Sequence, residues 1–467
     1  MKFFKYILFF YFSFFIFHFS VSQNVRASRS EEALLWRNLK KESGFKKVFK
    51  KYKKYRFEIV YTQINRNLNG DVTFKKFHLG DSTSYFYPAS VVKLPLAIAV
   101  SEMIQKAPFY NVNGNMKLKL DTISYCNHVY ENLNFECHRI QKNETWSSIS
   151  KKYRITLNDF YQWNNLNEKS VPKVNTTVKI YHRKIRPSIN DLISSMLIYS
   201  DNEAYNKLFE MAGGDYLTSW LSNYGFGKSS LTRKFLWCEG EEKSSSLAYD
   251  ILNDKDVIIY HGNEKKWNSA NHVKVAGIKV GKQYFGKNGL VNSPRDFSDH
   301  NRILLTDLHE MMKRLIFPQA NNSNPVYQMN TNSYKFLIRK LGNYPREHVN
   351  PLDSIYDYYA DGENIFLFNG EDTSKIDAKF RMVNIVGQAY GFSTDCMYFT
   401  DDESKTEFFL SMRIYTNKDE ILGDDKYEYT EMAMPLMKKV GEYFFELEKK
   451  RTKEVLPNFA LFRQIFD

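Results

Sequence analysis

The alternation of apolar and polar positions gives strand-like ends and a helical middle. Phe57 to Ile64 reads Phe-Glu-Ile-Val-Tyr-Thr-Gln-Ile, β-branched and aromatic, which predicts a strand. Asn65 to Asp71, with Gly70, predicts a turn into a second strand. Near the other end, Cys396–Thr400 and Glu407–Ile414 predict two further strands of the same antiparallel sheet. Between them, Leu94, Leu96, Ala97, Ile98, Ala99 and Val100 form a run apolar all round, so a helix starting near Ser90 is expected to be buried. Leu192, Met196 and Leu197 predict a helix that stops at Ser200, with another starting near Asn202. Pro294-Arg295-Asp296 and Leu304 to Phe317 read as helical, with Leu305, Leu308, Met312 and Leu315 on one face. Glu431 to Lys450 predicts a final helix, and the polar stretch 107–137 reads as loop.

Residues 138–182 break this rhythm and parse as strand, helix, helix, strand. Trp146, Ile149 and Tyr153 fall on one helical face, and Asn143 or Thr145 can cap that helix. Thr156 to Asp159 has the form of a capping box for the second helix.

Charge and the first residues set the address. The chain has 467 residues and a net charge of +13, which suits nucleic acid or an anionic cell envelope. Lys2 and Lys5 precede an apolar run from Ile7 to Phe19, and Ser20-Val21-Ser22 supplies small residues before Gln23. This is the pattern of a secretory signal peptide over 1–22, too short for a membrane span, so export to the periplasm or cell envelope is expected. Residues 23–56 form a basic helical segment. Its part from 40 to 56 interleaves Lys and Arg with Phe45, Val48, Phe49, Tyr52 and Tyr55, as on the solvated face of an amphipathic helix or at an envelope surface. Export permits a Cys126–Cys137 disulfide, whereas Cys396 sits in an apolar run and reads as a core thiol. No Cys/His cluster has metal spacing, so neither a metal nor another cofactor is expected. Nucleic acid and a stable membrane span are not expected partners either.

The chemistry is concentrated at Ser90-Val91-Val92-Lys93. The i,i+3 spacing puts hydroxyl and amine on one helix face, and a lysine on the first turn of a buried helix needs a reason. An amine against a hydroxyl is the layout of an acyl-transfer nucleophile, Ser90, with its own base, Lys93. Helix-start N–H groups would face the reacting carbonyl. Ser43…Lys46, Ser148…Lys151 and Ser170…Lys173 share the spacing but lack this apolar context. Ser200-Asp201-Asn202 occurs once and, taken alone, is a helix cap.

Taken together, the two motifs resemble those of class A β-lactamases and penicillin-binding proteins. The resemblance spans about residues 55 to 448. It implies an α+β fold (an α/β sandwich), with an antiparallel sheet and a helical subdomain. It also implies that Ser200 relays a proton to the leaving nitrogen and that Asn202 orients the substrate amide and the lysine. The family's third motif, Lys-Thr/Ser-Gly, aligns best with Ile385-Val386-Gly387, so Gly387 and the N–H of Gln388 fall at the substrate, with Ile385 in the lysine's place. Arg381 or Lys379 are the candidates to replace that lysine. The family's deacylating Glu-x-x-Leu-Asn loop does not follow Asn202; Glu239, Glu241 and Glu242 read as a solvated acidic turn.

The stretch 138–182 resembles a LysM domain, a βααβ module. Asn143-Glu144-Thr145, Ser148-Ile149, Lys152-Tyr153, Leu157, Phe160, Trp163-Asn164-Asn165-Leu166 and Val178-Lys179-Ile180 carry the likeness, with Asn143-Glu144 in place of the family's usual Gly-Asp. That family binds N-acetylglucosamine-containing glycans such as peptidoglycan. The module lengthens the interval between Ser90 and Ser200, so it is expected as an insertion between a first part (57–137) and a second part (183–467) of one catalytic domain. Two readings follow: an exported serine hydrolase or acyl transferase acting on β-lactams or D-Ala-type wall peptides, or a peptidoglycan-binding protein of the same fold whose chemistry has faded, which Ile385 favours.

Overall fold

A computed structural model describes residues 24–466 apart from 42–45, 107, 110, 121–123, 126–127, 130–134, 143, 154–156, 158–159, 162–163, 165, 168, 175, 182–186, 236–244, 268–274, 287, 321–324, 348–359, 371 and 373. The expected signal peptide, Cys126 with its disulfide, the Thr156–Asp159 cap, and Glu239, Glu241 and Glu242 lie outside the described residues.

The chain opens with strand β1 (Asn24–Arg26) and helices α1 (Arg29–Lys41) and α2 (Lys46–Lys50). The hairpin β2 (Glu58–Arg66) and β3 (Val72–Gly80) follows, then helix α3 (Lys93–Met103). Strand β4 (Lys117–Leu120) leads to β5 (Phe135–Arg139), helix α4 (Trp146–Lys152) and β6 (Thr177–Tyr181). Helices α5 (Ile189–Ile198), α6 (Asn202–Ala212) and α7 (Gly214–Asn223) precede β7 (Tyr249–Leu252) and β8 (Arg295–Asp296). Helices α8 (Leu305–Ile316) and α9 (Thr331–Gly342) lead into β9 (Phe380–Ala389), β10 (Phe392–Asp401), β11 (Thr406–Tyr415) and the last long helix α10 (Met434–Lys450).

The main sheet has the order β1-β3-β2-β11-β10-β9, with both chain ends contributing strands. All its pairings are antiparallel except β1 on β3. Side-chain alternation splits the strands between two cores. Val383, Ile385, Cys396, Tyr398 and Phe409 face α3, α5, α6 and α8. Met382, Met397, Phe399, Phe408 and Leu410 face α1, α2 and α10. Helices therefore cover both faces, the expected α+β sandwich. The basic stretch 40–56 is amphipathic as expected: Val48, Phe49 and Tyr55 are buried against the sheet. Cys396 is a buried free thiol.

Two expectations need correction. Within 107–137, Lys117–Leu120 is a strand, paired with Tyr249–Leu252, because its partner lies more than a hundred residues downstream. Arg295–Asp296 is a strand paired with Lys279–Val280, not the start of a helix.

The 138–182 region has its own core of Ile140, Trp146, Ile149, Phe160, Val178 and Ile180. Thr145 caps α4 in a capping box with Ser148. The module's first strand begins at Phe135, three residues before the expected boundary. Backbone bonds close a neck outside it: Leu118 N–H to the Pro187 carbonyl at 3.1 Å and Ile189 N–H to the Met116 carbonyl at 3.0 Å. Among the described residues, no helix is long and apolar enough to cross a membrane.

Candidate active site

Ser90 lies in a 3-10 turn, Ala89–Val92, that runs directly into α3. Ala89 has φ 47, a left-handed value for a residue with a side chain. Such strain, about 1–3 kcal/mol, is characteristic of functional turns. Every residue of α3 is buried, Lys93 included.

The expected residues converge on the Lys93 amine. Its Nζ lies 2.9 Å from Ser90 Oγ, 2.9 Å from Ser200 Oγ and 2.7 Å from Asn202 Oδ1, and it also reaches the Ser200 carbonyl. Ser200 has φ 55, which turns both its oxygens toward the lysine. Asp201 is the structural member of the triplet: it caps α6, accepting from the N–H groups of Glu203 at 2.8 Å and Ala204 at 3.2 Å. Burial in this pocket disfavours the ammonium and brings the Lys93 pKa down to about 7, with the Asp201 charge opposing the shift. A lysine tuned to neutrality near pH 7 can accept a proton from a hydroxyl in contact with it.

The opposite wall is β9, the sheet-edge strand beside the Ser90 turn. Ile385 and Gly387 share the face that looks toward α3. A β-carbon on Gly387 would come within 2.4 Å of the Pro88 carbonyl oxygen and 3.0 Å of the Ser90 and Val91 nitrogens. Only glycine lets this strand lie against the Ser90 turn. Gln388 follows with an exposed side chain, its Nε2 3.3 Å from Ser393 Oγ. Ile385 is 4% exposed and lines a small cavity with Ser200, Asn364, Asn384 and Lys340.

Neither candidate for the missing lysine stands here. Arg381 is clamped to Glu347 at 2.6 and 3.0 Å, and Lys379 pairs with Glu403 at 2.6 Å. Each strand residue advances about 3.3 Å, so Arg381 lies well up β9 from the site, and Lys379 precedes the strand. Lys340, on the neighbouring helix α9, is a cation the sequence motifs did not single out. Phe235 is another residue they missed. Its ring lies 5.2 Å from Lys93 Nζ, and Asn206 holds its backbone through bonds of 2.8 and 2.7 Å. An apolar ring thus covers one side of the amine. Among the described residues, no group of His, Cys, Asp and Glu could hold a metal ion.

Comparison with known proteins found both resemblances. Residues 138–180 match the family model of the LysM domain, and residues 164–323 match that of the Beta-lactamase enzyme family. The second match takes in Ser200 and Asn202 and leaves Ser90, Lys93, Gly387 and Gln388 outside. No curated protein matches the chain. Among solved structures, a protein named PBP-A is similar over 91% of this chain and 99% of its own, at 10% identity and a TM-score of 0.42. A β-lactamase from Desulfarculus baarsii DSM 2075 covers 90% and 98%, at 11% identity and 0.40. A β-lactamase from Burkholderia ambifaria covers 88% and 98%, at 12% identity and 0.38.

Proposed function

We propose that the protein is an exported active-site serine hydrolase or acyl transferase that acts on β-lactams or D-Ala-type wall peptides. The observation that carries this reading is the Lys93 amine, buried, brought down to a pKa of about 7, and in contact with Ser90, Ser200 and Asn202 at once. Neutral Lys93 takes the Ser90 proton as Oγ attacks the carbonyl carbon. The N–H groups of Ser90 and Gln388 receive the oxyanion. Ser200 passes a proton to the leaving nitrogen as the C–N bond breaks, and is reprotonated from Lys93. The acyl group remains on Ser90 until water or an amine attacks. No Glu-x-x-Leu-Asn loop follows Asn202 to activate water, so the acyl-enzyme is long-lived.

The LysM region, read as an insertion at 138–182 within a catalytic domain formed by 57–137 and 183–467, holds the enzyme on peptidoglycan or another N-acetylglucosamine-containing glycan. Ile385 favours a second reading, a peptidoglycan-binding protein of the same fold without turnover.

A fluorescent or mass-resolved penicillin distinguishes the two. Intact-mass spectrometry is expected to show one adduct on the wild-type protein, lasting minutes or longer, and none on Ser90→Ala. An unmodified wild-type protein after long exposure supports the binding-only reading.

A further inference from the structure

Order along β9 gives order along the cleft. Ile385 lines a cavity with Ser200, and Gly387 packs on the Ser90 turn. Tyr390, three residues on, stands in the turn that follows the end of β9, so in strand order it lies beyond the Ser90 turn from the Ile385 end, which meets Ser200. In the reaction proposed above, Ser200 serves the leaving nitrogen. The acyl portion of the donor therefore runs toward Tyr390.

That end is aromatic and cationic. The Arg295 guanidinium lies 4.4 Å from the centre of the Tyr390 ring and 5.5 Å from that of Phe297. Tyr390 meets Tyr87 at 5.4 Å, and Tyr87 is three residues before Ser90. From the other side, Arg233 Nη1 reaches His300 Nε2 at 3.0 Å and the Asp299 carboxylate at 3.4 Å; Arg233 stands two residues before Phe235, the ring against Lys93. Burial and the two guanidinium groups bring the His300 pKa down to about 4 against the pull of Asp299, so its imidazole is neutral at pH 7. Asp299 is shared between Arg233 and His300. Asp296, next to Arg295, accepts from the Ser298 N–H at 2.9 Å and lies 4.0 Å from Lys279. Arg295 thus stands over an aromatic floor, while Arg233 holds His300 and the Asp299 carboxylate, and both guanidinium groups act on the same imidazole. Burial is the main force against the Arg233 charge, Asp299 opposes it, and the field of Arg295 adds to it, so an anion brought to Arg295 would act on both.

We propose that Arg295, backed by Arg233, is the specificity-determining anion anchor of this cleft, and that the preferred acyl donor carries a carboxylate on its acyl side. The leaving-group side, where the family's lysine would sit, presents Ile385 instead. This inference rests on the serine acyl-transfer reading for its direction along the cleft, and the test separates the two.

Benzylpenicillin and carbenicillin differ by one carboxylate on the acyl side chain and share the carboxylate on the leaving-group side. The readout is the ratio of their rate constants for adduct formation on Ser90, followed by intact mass at low salt. Carbenicillin is expected to be favoured about 10-fold, the ratio to fall to about 1 in Arg295→Gln, and Arg295→Lys to recover part of it. Equal rates in the wild type, or an undiminished ratio in Arg295→Gln, overturn the inference. If neither compound acylates, the serine reading fails, and calorimetry on Ser90→Ala judges the anchor alone. Tighter binding of carbenicillin that is lost in the Ser90→Ala, Arg295→Gln double variant supports it. Equal or absent binding overturns it.

Discussion

Lys93 and Asp395 are both buried, on opposite faces of the main sheet, and both have pKa values moved to about 7, one down and one up. Burial drives each shift by disfavouring the charged form. Their surroundings differ. Lys93 touches the hydroxyls of Ser90 and Ser200, so its proton has somewhere to go. Asp395, on β10 opposite Val386, is sealed by the N–H groups of Phe366 at 3.0 Å and Leu367 at 2.9 Å, with Asn384 Nδ2 at 3.3 Å. Asn384 also holds the Asn364 carbonyl, and Asn364 donates to the Ile198 carbonyl at 2.6 Å, just before Ser200. One displaced group is therefore poised for proton transfer, and the other fastens the 361–370 segment and the end of α5 to the third-motif strand. A displaced pKa identifies a stressed site; contact with a reactive hydroxyl identifies a chemical one.

The largest test of this contrast is Lys93→Met, which is expected to lower the rate of adduct formation on the order of 10³-fold or more. In the wild type the neutral amine is the base, so that rate is expected to rise with pH through about 7 and then level off. A flat profile would remove Lys93 from the role of base.

A substitution on the opposite wall comes next. Gly387→Ala forces a β-carbon against the Pro88 carbonyl, so β9 and the Ser90 turn must separate. Adduct formation is expected to fall about 10²-fold, comparable to losing one oxyanion donor. Overpacking of this kind costs about 1–3 kcal/mol, readable as a lowered Tm. Near wild-type acylation would show that the strand does not need to lie so close.

Asp395→Asn is expected to change acylation by less than about threefold, yet to alter how stability depends on pH. In the folded protein this carboxyl stays protonated up to about 7, whereas the unfolded chain ionises it near 3.8. The folded state thus binds the extra proton between those values, and its stability falls as pH rises across that window, by at most about 1.4 kcal/mol per pH unit. Denaturant titrations should show Asp395→Asn gaining on the wild type between pH 5 and 7. A constant difference would mean that the carboxylate is ionised in the fold.

The smallest effect on chemistry is expected from deleting 135–182, which removes the module with the whole of its first strand. Acylation by a small penicillin should stay within about twofold, because the neck bonds at Leu118 and Ile189 lie outside the deletion. Sedimentation with purified sacculi should be lost. Retained sedimentation would place glycan binding elsewhere, and an aggregated product would refute the insertion boundaries.

Local signals explain what was legible in the sequence. Ser90 and Lys93 are one helical turn apart, and Asp201 caps the helix that Asn202 begins, so short-range rules brought three of the motif residues to adjacent helix starts. Gly387 could be placed only through the resemblance, as the glycine of the family's third motif; the close approach to the Pro88 carbonyl that requires glycine there is visible only in the fold. Phe235, Arg233 and Arg295 were not legible as site residues. They arrive from segments far from Ser90 in sequence, and no periodicity marks them. Arg295 looked helical beside Pro294 because its strand partner, Val280, is held by tertiary pairing alone. Arg381 and Lys379 looked available because sequence does not show Glu347 or Glu403 waiting across the fold.

The closed neck at 114–118 and 187–190 also governs how this architecture can change. Chain entering and leaving the module is already bonded together, so the rest of the fold experiences the whole excursion as a turn of fixed span. Lengthening such an excursion adds only about 0.6 kcal/mol of closure entropy per doubling. What hangs beyond the neck can therefore be exchanged, duplicated or removed while the contacts of Ser90 and Lys93 keep their geometry.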